Sequence, residues 1–185
     1  MSILVTGSSG FVASQLIPIL KKEHDVVGLD LKPSTYTDYL VDISSKQQLS
    51  KILLNYNIEI VINLAAARFD FGPSAEEYYK SNVTCHSDFL SNLDDLRIKH
   101  FIHVSSVASI DGQKINFNHN LGYDDSYRST KYLQEKLILD WCRAKDIKNS
   151  ILYPSAIFTL DPRPDTNIGK VQKLIKLLPI IPSIK

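Results

Sequence analysis

The stretch "ILVTGSSGFVAS" (residues 3–14) decides the fold. Its first four residues are an apolar, β-branched run of the kind buried on both faces of a parallel sheet. Gly7 follows at once and permits a tight turn out of the strand. Val12, Leu16, Ile19 and Leu20 then recur at helical spacing. A strand, a glycine turn and a helix in this order present free helix N–H groups, and the positive end of the helix dipole, to an anion. Gly10 lets the backbone approach a pyrophosphate, and Ala13 is a short side chain where helix and strand must pack closely. A plain tight turn has the same local pattern, so the surrounding chain must supply the context.

Working outward, short apolar runs alternate with longer amphipathic segments. Strands are expected at "VVGLD" (26–30), "YLVDIS" (39–44), "IEIVINLAA" (58–66), "HFIHVSS" (100–106) and "SILYP" (150–154). Helices are expected over 45–55, 76–93 and 126–145, and Pro18 is expected to kink or loosen the first helix. Alternation of this kind predicts an α/β fold, a doubly wound parallel sheet with helices on both faces. The run "KLIKLLPIIPSIK" (173–185) is broken by Lys176, Pro179 and Pro182 and reads as a helix end and loop.

Composition narrows the function classes. The chain has 185 residues, 44% of them hydrophobic, enough for one folded core. Twenty-one basic and 20 acidic residues give a formal net charge of +1, with no electrostatic footprint for nucleic acid or an anionic membrane. No apolar run approaches the ~20 residues of a membrane span. "MSILVTGSSG" lacks the basic start of a signal peptide. Cys85 and Cys142 lie far apart without metal spacing and read as reduced thiols of a cytoplasmic protein. The five histidines (24, 86, 100, 103 and 119) show no metal-ligand spacing, and His103 reads as a packed strand residue. No metal is expected.

Two further features bear on chemistry. Asp30 ends the second strand twenty residues after Gly10, where a carboxylate accepts both ribose hydroxyls of an adenosine and repels a 2′-phosphate. NAD is therefore favoured over NADP, with Lys32 nearby weakening the preference. In "SYRSTKYLQEK" (126–136), Tyr127 and Lys131 lie one helical turn apart. That spacing alone describes many ordinary helix surfaces.

Taken together, these residues resemble an extended short-chain dehydrogenase/reductase, and within it the NAD-dependent epimerase/dehydratase family that acts on nucleotide sugars. The likeness runs from Met1 to about Phe158. "TGSSGFVAS" resembles the family's TGxxGFxG turn, with Ala13 in place of the third glycine. "VDIS" resembles its acidic–hydrophobic pair, "NLAAAR" its HLAA stretch with Asn63 for His, and "EYYKSNVTC" the helix carrying a structural Asn. "HVSSVAS" resembles its catalytic strand end, "YRSTKYLQEK" its YxxxK helix, and "YPSAIF" its RPxxIYG segment with Tyr153 for Arg. The resemblance implies a cofactor site of Gly7, Ser9, Gly10, Phe11 and Val12 at the turn, and Asp30, Leu31, Lys32, Asp42 and Ile43 at the adenosine. It adds Leu64, Ala65 and Ala66 along the phosphates and ribose, then Asn82, Ser105, Tyr127, Lys131, Tyr153, Pro154 and Ala156 toward the nicotinamide.

The same resemblance implies Tyr127 as the acid/base, Lys131 as the group that lowers its pKa and grips the ribose, and Ser106 as the hydroxyl that holds the substrate oxygen. A free phenol titrates near ~10, too high for a base at neutral pH, and a neighbouring ammonium favours the phenolate. Counting forward along the strand puts Ser106 at the catalytic place; counting back from Gly112 puts Val107 there, and Ser105 is the fallback. The strand count is preferred because strand ends are rigid. Sugar 4,6-dehydratases carry an Asp-Glu pair directly after the catalytic residue. Val107-Ala108 cannot transfer a proton, which disfavours a dehydratase.

The expectations are thus a cofactor domain over 1–160 and the start of a truncated substrate lobe over 161–185. The substrate is expected to be a nucleotide sugar, and a homodimer is expected through helices 76–93 and 126–145. Two alternatives stay open: a carbonyl or alcohol reductase of another substrate class, and a non-catalytic dinucleotide sensor or scaffold. Arg68 reads equally as a substrate-phosphate ligand or a solvated loop cation.

Overall fold

The computed structural model describes residues 2–67, 73–157 and 167–177. Arg68 lies outside them. Met1–Ser155 form one compact unit and Ala156–Lys185 a second.

Six strands build the first unit: β1 (Ser2–Thr6), β2 (Asp25–Asp30), β3 (Tyr39–Leu40), β4 (Ile58–Asn63), β5 (His100–Val104) and β6 (Lys148–Leu152). They form a single sheet in the order β3-β2-β1-β4-β5-β6, and every pairing is parallel. The order reverses beside β1, so the crevice past its carboxyl end is the ligand-binding position of such a sheet. All of β1 is buried. Ile3 and Val5 pack on one face with Ala13 and Ile17. Leu4 packs on the other with Val61, Phe89 and Phe101. Burial on both faces is why the strand reads as a continuous apolar run rather than an alternating one.

The helices of this unit are α1 (Phe11–Leu20), α2 (Lys46–Leu53), α3 (Ala75–Tyr79), α4 (Cys85–Asn92), α5 (Ala108–Gly112) and α6 (Tyr123–Ala144). A capping box starts α3: the Ser74 hydroxyl accepts from the Glu77 N–H while the Glu77 carboxylate accepts from the Ser74 N–H. Between α3 and α4, Lys80–Thr84 form one π-helical turn, so the expected helix over 76–93 carries a bulge. In the second unit, α7 spans Asn167–Leu177.

Several boundaries differ from expectation. The third strand stops at Leu40 rather than Ser44, because the Asp42 carboxylate accepts the Ser44 N–H and hydroxyl and turns the chain out of the ladder. The fourth stops at Asn63 rather than Ala66, where the Thr6 hydroxyl takes the N–H of Ala65. The fifth stops at Val104, and the sixth covers Lys148–Leu152 rather than 150–154. α1 runs on through Pro18, whose ring is exposed. Among the described residues no helix is long and apolar enough to cross a membrane.

Candidate active site

The glycine turn is tightest at Gly7. Gly7 adopts φ +71°, and a β-carbon there would stand 2.9 Å from the Ala65 backbone nitrogen. β1 and the segment after β4 therefore touch backbone to backbone. Gly10 is the N-cap of α1 and no side chain caps that end. A β-carbon on Gly10 would lie 3.0 Å from the Gly7 carbonyl oxygen. The uncapped helix start, with Phe11 and Val12 in its first turn, fits a pyrophosphate electrostatically.

Asp30 stands at the carboxyl end of β2 beside this turn. One carboxylate oxygen accepts the Ser9 N–H at 2.9 Å and the other the Lys32 N–H at 2.9 Å. The carboxylate is thus held at the lip of the turn. Leu31 and Lys32 beside it are exposed, an open apolar and basic shelf. Asp42 is exposed and Ile43 buried. The Asp42 carboxyl is held below its ordinary value: bonds from Ser44 and Cys85 and the nearby Lys80 outweigh the opposing effect of partial burial. Burial and the Asp42 charge push the Cys85 thiol up to about 11, and burial alone does the same for Cys142.

The buried stripe of α6 is divided along its length. Ser126, Ser129, Thr130, Lys131, Gln134 and Glu135 are polar, and Ile138 and Cys142 continue the stripe as core. Lys131 is only 2% exposed. Its ammonium nitrogen donates to Gln134 Oε1 at 2.6 Å and to the Val104 carbonyl at 3.3 Å, at the carboxyl end of β5. Burial lowers its pKa to about 7, against the opposing pull of Glu135. Desolvation thus opposes the charged form of this lysine in the free chain. Tyr127, one turn earlier, packs edge to face on the buried Tyr78, ring centroids 5.9 Å apart.

The π turn aims Asn82 inward. Its side-chain oxygen accepts the Ala67 N–H at 2.7 Å and its amide donates to the Thr130 hydroxyl at 3.2 Å. One residue thus ties the segment after β4 to α6. Leu64, Ala65 and Ala66 are half-buried along that segment.

The serines separate into two roles. Ser105 is buried, and its hydroxyl donates to Glu135 at 2.9 Å, pointing into the protein. Ser106 is half-buried, and its hydroxyl accepts the Ala108 N–H at 3.2 Å, turning the chain into α5. Val107 is exposed. Glu135 also accepts from Ser109 at 3.0 Å and from the Tyr153 hydroxyl at 2.6 Å. Burial and that carboxylate push the Tyr153 phenol up to about 12. The Pro154 carbonyl accepts the Val107 N–H at 3.4 Å. Ala156 belongs to the second unit.

A buried network here was not anticipated. The Gln134 amide donates to His86 Nε2 at 2.8 Å and to the Ala65 carbonyl at 3.2 Å. His86 Nδ1 donates to the Ser81 carbonyl at 3.0 Å, and burial lowers the ring to about 4, so it stays neutral. Asn63 accepts from Thr6 at 2.6 Å and donates to His103 Nδ1 at 3.1 Å, which leaves the buried His103 Nε2 without a hydrogen-bond partner among the described residues. Helical spacing was the available signal: His86 follows Asn82 by four residues, and Gln134 and Glu135 follow Lys131 by three and four.

Among the described residues no three His, Cys, Asp or Glu side chains converge as a metal site. An open groove of about 590 Å³, lined by residues including Lys21, Asp25, Asp38, Tyr39 and Tyr56, lies away from these groups beside the amino end of β2. Its acids are already paired, Asp25 with Ser2 and Asp38 with Lys21 and the Gly28 N–H.

Known proteins resemble this chain in sequence and in fold. The chain is 26% identical over 182 residues to an N-acetyl-alpha-D-glucosaminyl-diphospho-ditrans,octacis-undecaprenol 4-epimerase of Escherichia coli O157:H7, an alignment covering 95% of this chain and 53% of that protein. It is 29% identical over 171 residues to a UDP-glucose 4-epimerase of Lactobacillus helveticus, covering 82% of this chain and 50% of the relative. The fold superposes on a UDP-glucuronic acid 4-epimerase from Bacillus cereus, solved in complex with NAD. The TM-score is 0.73 at 26% identity, covering 95% of this chain and 62% of that one. The chain thus spans about half the length of these two relatives. Residues 3–177 match the NAD dependent epimerase/dehydratase family, and the chain belongs to it.

Proposed function

We propose that this chain is the dinucleotide-binding part of an NAD-dependent epimerase or related oxidoreductase acting on a nucleotide sugar. The observation that carries the reading is the juxtaposition of an uncapped glycine turn at β1 with a buried Lys131 at the carboxyl end of β5. Gly7, Ser9, Gly10, Phe11 and Val12 would hold the pyrophosphate, Asp30 the adenosine ribose, and Asp42 and Ile43 the adenine. Lys131 would hold the nicotinamide ribose. When bound, NAD supplies the hydride acceptor and donor at nicotinamide C4. Tyr127 would move the proton of the reacting hydroxyl, and Ser106 would hold the substrate oxygen beside it. Residues 1–160 would form the cofactor domain and 161–185 the start of a substrate lobe. A homodimer through 76–93 and 126–145 is part of the proposal, and analytical ultracentrifugation at micromolar concentration tests it.

A second reading, a dinucleotide-binding protein without turnover, is favoured by one observation. The Ser106 hydroxyl is engaged with the Ala108 N–H, and its neighbour Val107 is the exposed side chain.

Titration with NAD and NADP, followed by UDP- and TDP-sugars with the full-length gene product, separates the readings. The first expects binding of NAD in preference to NADP, turnover of a sugar nucleotide, and loss of turnover in Tyr127→Phe with NAD binding nearly intact. Turnover surviving in Tyr127→Phe removes the assigned mechanism; NAD binding with no turnover of any sugar nucleotide selects the second reading.

A further inference from the structure

Lys131 is buried, yet no carboxylate forms an ion pair with it among the described residues. Its short contact is a neutral amide oxygen, Gln134 Oε1, at 2.6 Å. An amide can be misdirected by a simple flip, so something must fix which end faces the lysine. The two donors of Gln134 do this. They go to His86 Nε2 at 2.8 Å and the Ala65 carbonyl at 3.2 Å, both acceptors. His86 accepts there in the tautomer whose other nitrogen donates to the Ser81 carbonyl at 3.0 Å; the same Nε2 stands 3.4 Å from Asn63 Oδ1, a longer contact than the 2.8 Å to Gln134. Gln134 and His86 are fully buried, so rotation would leave a donor or acceptor stranded. A chain of oriented groups therefore runs from the π turn, through His86 and Gln134, to the lysine amine.

We propose that Gln134, oriented by His86, is the positioning residue of Lys131. It holds the amine against the end of β5 and, through the Ala65 carbonyl, couples it to the segment that closes on Gly7. This rests on the reading that Lys131 serves a bound dinucleotide. Other groups bear on the same amine: His86 from α4, His103 from β5, and Glu135 on α6 itself. Both histidines are held neutral by burial, so Gln134 and Glu135 decide how readily Lys131 carries its proton.

The experiment has two readouts on the chain as it stands. NAD⁺ affinity is titrated across pH in wild type, Gln134→Leu, Gln134→Glu, His86→Leu and Lys131→Met. The Lys131 titration is followed in the free protein by NMR of lysine ε-carbons, assigned with Lys131→Met. Gln134→Leu is expected to weaken NAD⁺ roughly tenfold and to move the Lys131 midpoint to lower pH, with His86→Leu weaker in the same sense. Gln134→Glu restores an acceptor, carries a charge, and is expected to move the midpoint up by more than about one pH unit. It also keeps the test alive if Gln134→Leu does not fold. Lys131→Met weakened while both Gln134 variants keep wild-type affinity and midpoint overturns the positioning role alone. Unchanged NAD⁺ binding in Lys131→Met overturns the reading on which it rests, and the proposal with it.

Discussion

Gly112 and Arg128 meet so closely that a β-carbon on the glycine would stand 2.0 Å from the Arg128 carbonyl oxygen. The contact locks α5, and the serine loop before it, against the first half of α6. The loop therefore has a fixed anchor at each end, β5 on one side and Gly112 on the other.

Gly112→Ala has no flexible side chain to push aside, only helix backbone. It is expected to destabilise the fold by about 2–3 kcal/mol, measured by urea unfolding monitored at Trp141. A loss below about 0.5 kcal/mol would mean that α5 shifts freely.

Lys131 gives stability a definite pH dependence. Its pKa falls from 10.5 to about 7 on folding. Between those values the unfolded chain holds the proton and the folded chain releases it, so the penalty of burying the charge is full below about pH 7 and relieved as pH rises toward 10.5. Wild type is expected to gain a few kcal/mol relative to Lys131→Met between about pH 7 and pH 10. Parallel unfolding midpoints across that range would refute it.

Tyr153 and Glu135 form a second testable pair. Tyr153→Phe removes a 2.6 Å hydroxyl donor from a buried carboxylate and is expected to cost about 1–2 kcal/mol. Tyr153→Arg places a cation at the same carboxylate and is expected to recover most of that loss. Equal unfolding midpoints for the Phe and Arg variants would show that Glu135 does not depend on this donor.

Asp30→Asn keeps an oxygen for the Ser9 N–H and removes the charge. Its expected signature is a loss of about tenfold in NAD affinity with a relative gain for NADP, measured by calorimetry. A variant that keeps the wild-type ratio would take Asp30 out of cofactor selection.

Much of the scaffold was legible in the sequence because its signals are local. The apolar run of β1, the Gly7 turn and the spacing of Val12, Leu16 and Leu20 each depend on neighbours in the chain, and the parallel sheet follows from their alternation. Element ends were less legible. Asp42 turns its own backbone out of β3, and Thr6 caps the end of β4 from another strand. Gly112 was visible only as a counting mark, since its contact partner lies sixteen residues on in a different helix.

The sequence alone determined the order of the strands and of the longer helices between them, the glycine turn, Asp30 at the end of β2, and the one-turn spacing of Tyr127 and Lys131; the short α5 was not among its expectations. These are properties of nearest neighbours and of helical and strand period. Only the tertiary structure decided that Lys131 is buried on an amide, that Ser105 turns inward while Val107 stays exposed, and that His86 and Gln134 meet. Those facts depend on desolvation and on donor–acceptor pairing across elements 48 residues apart, which no local pattern encodes.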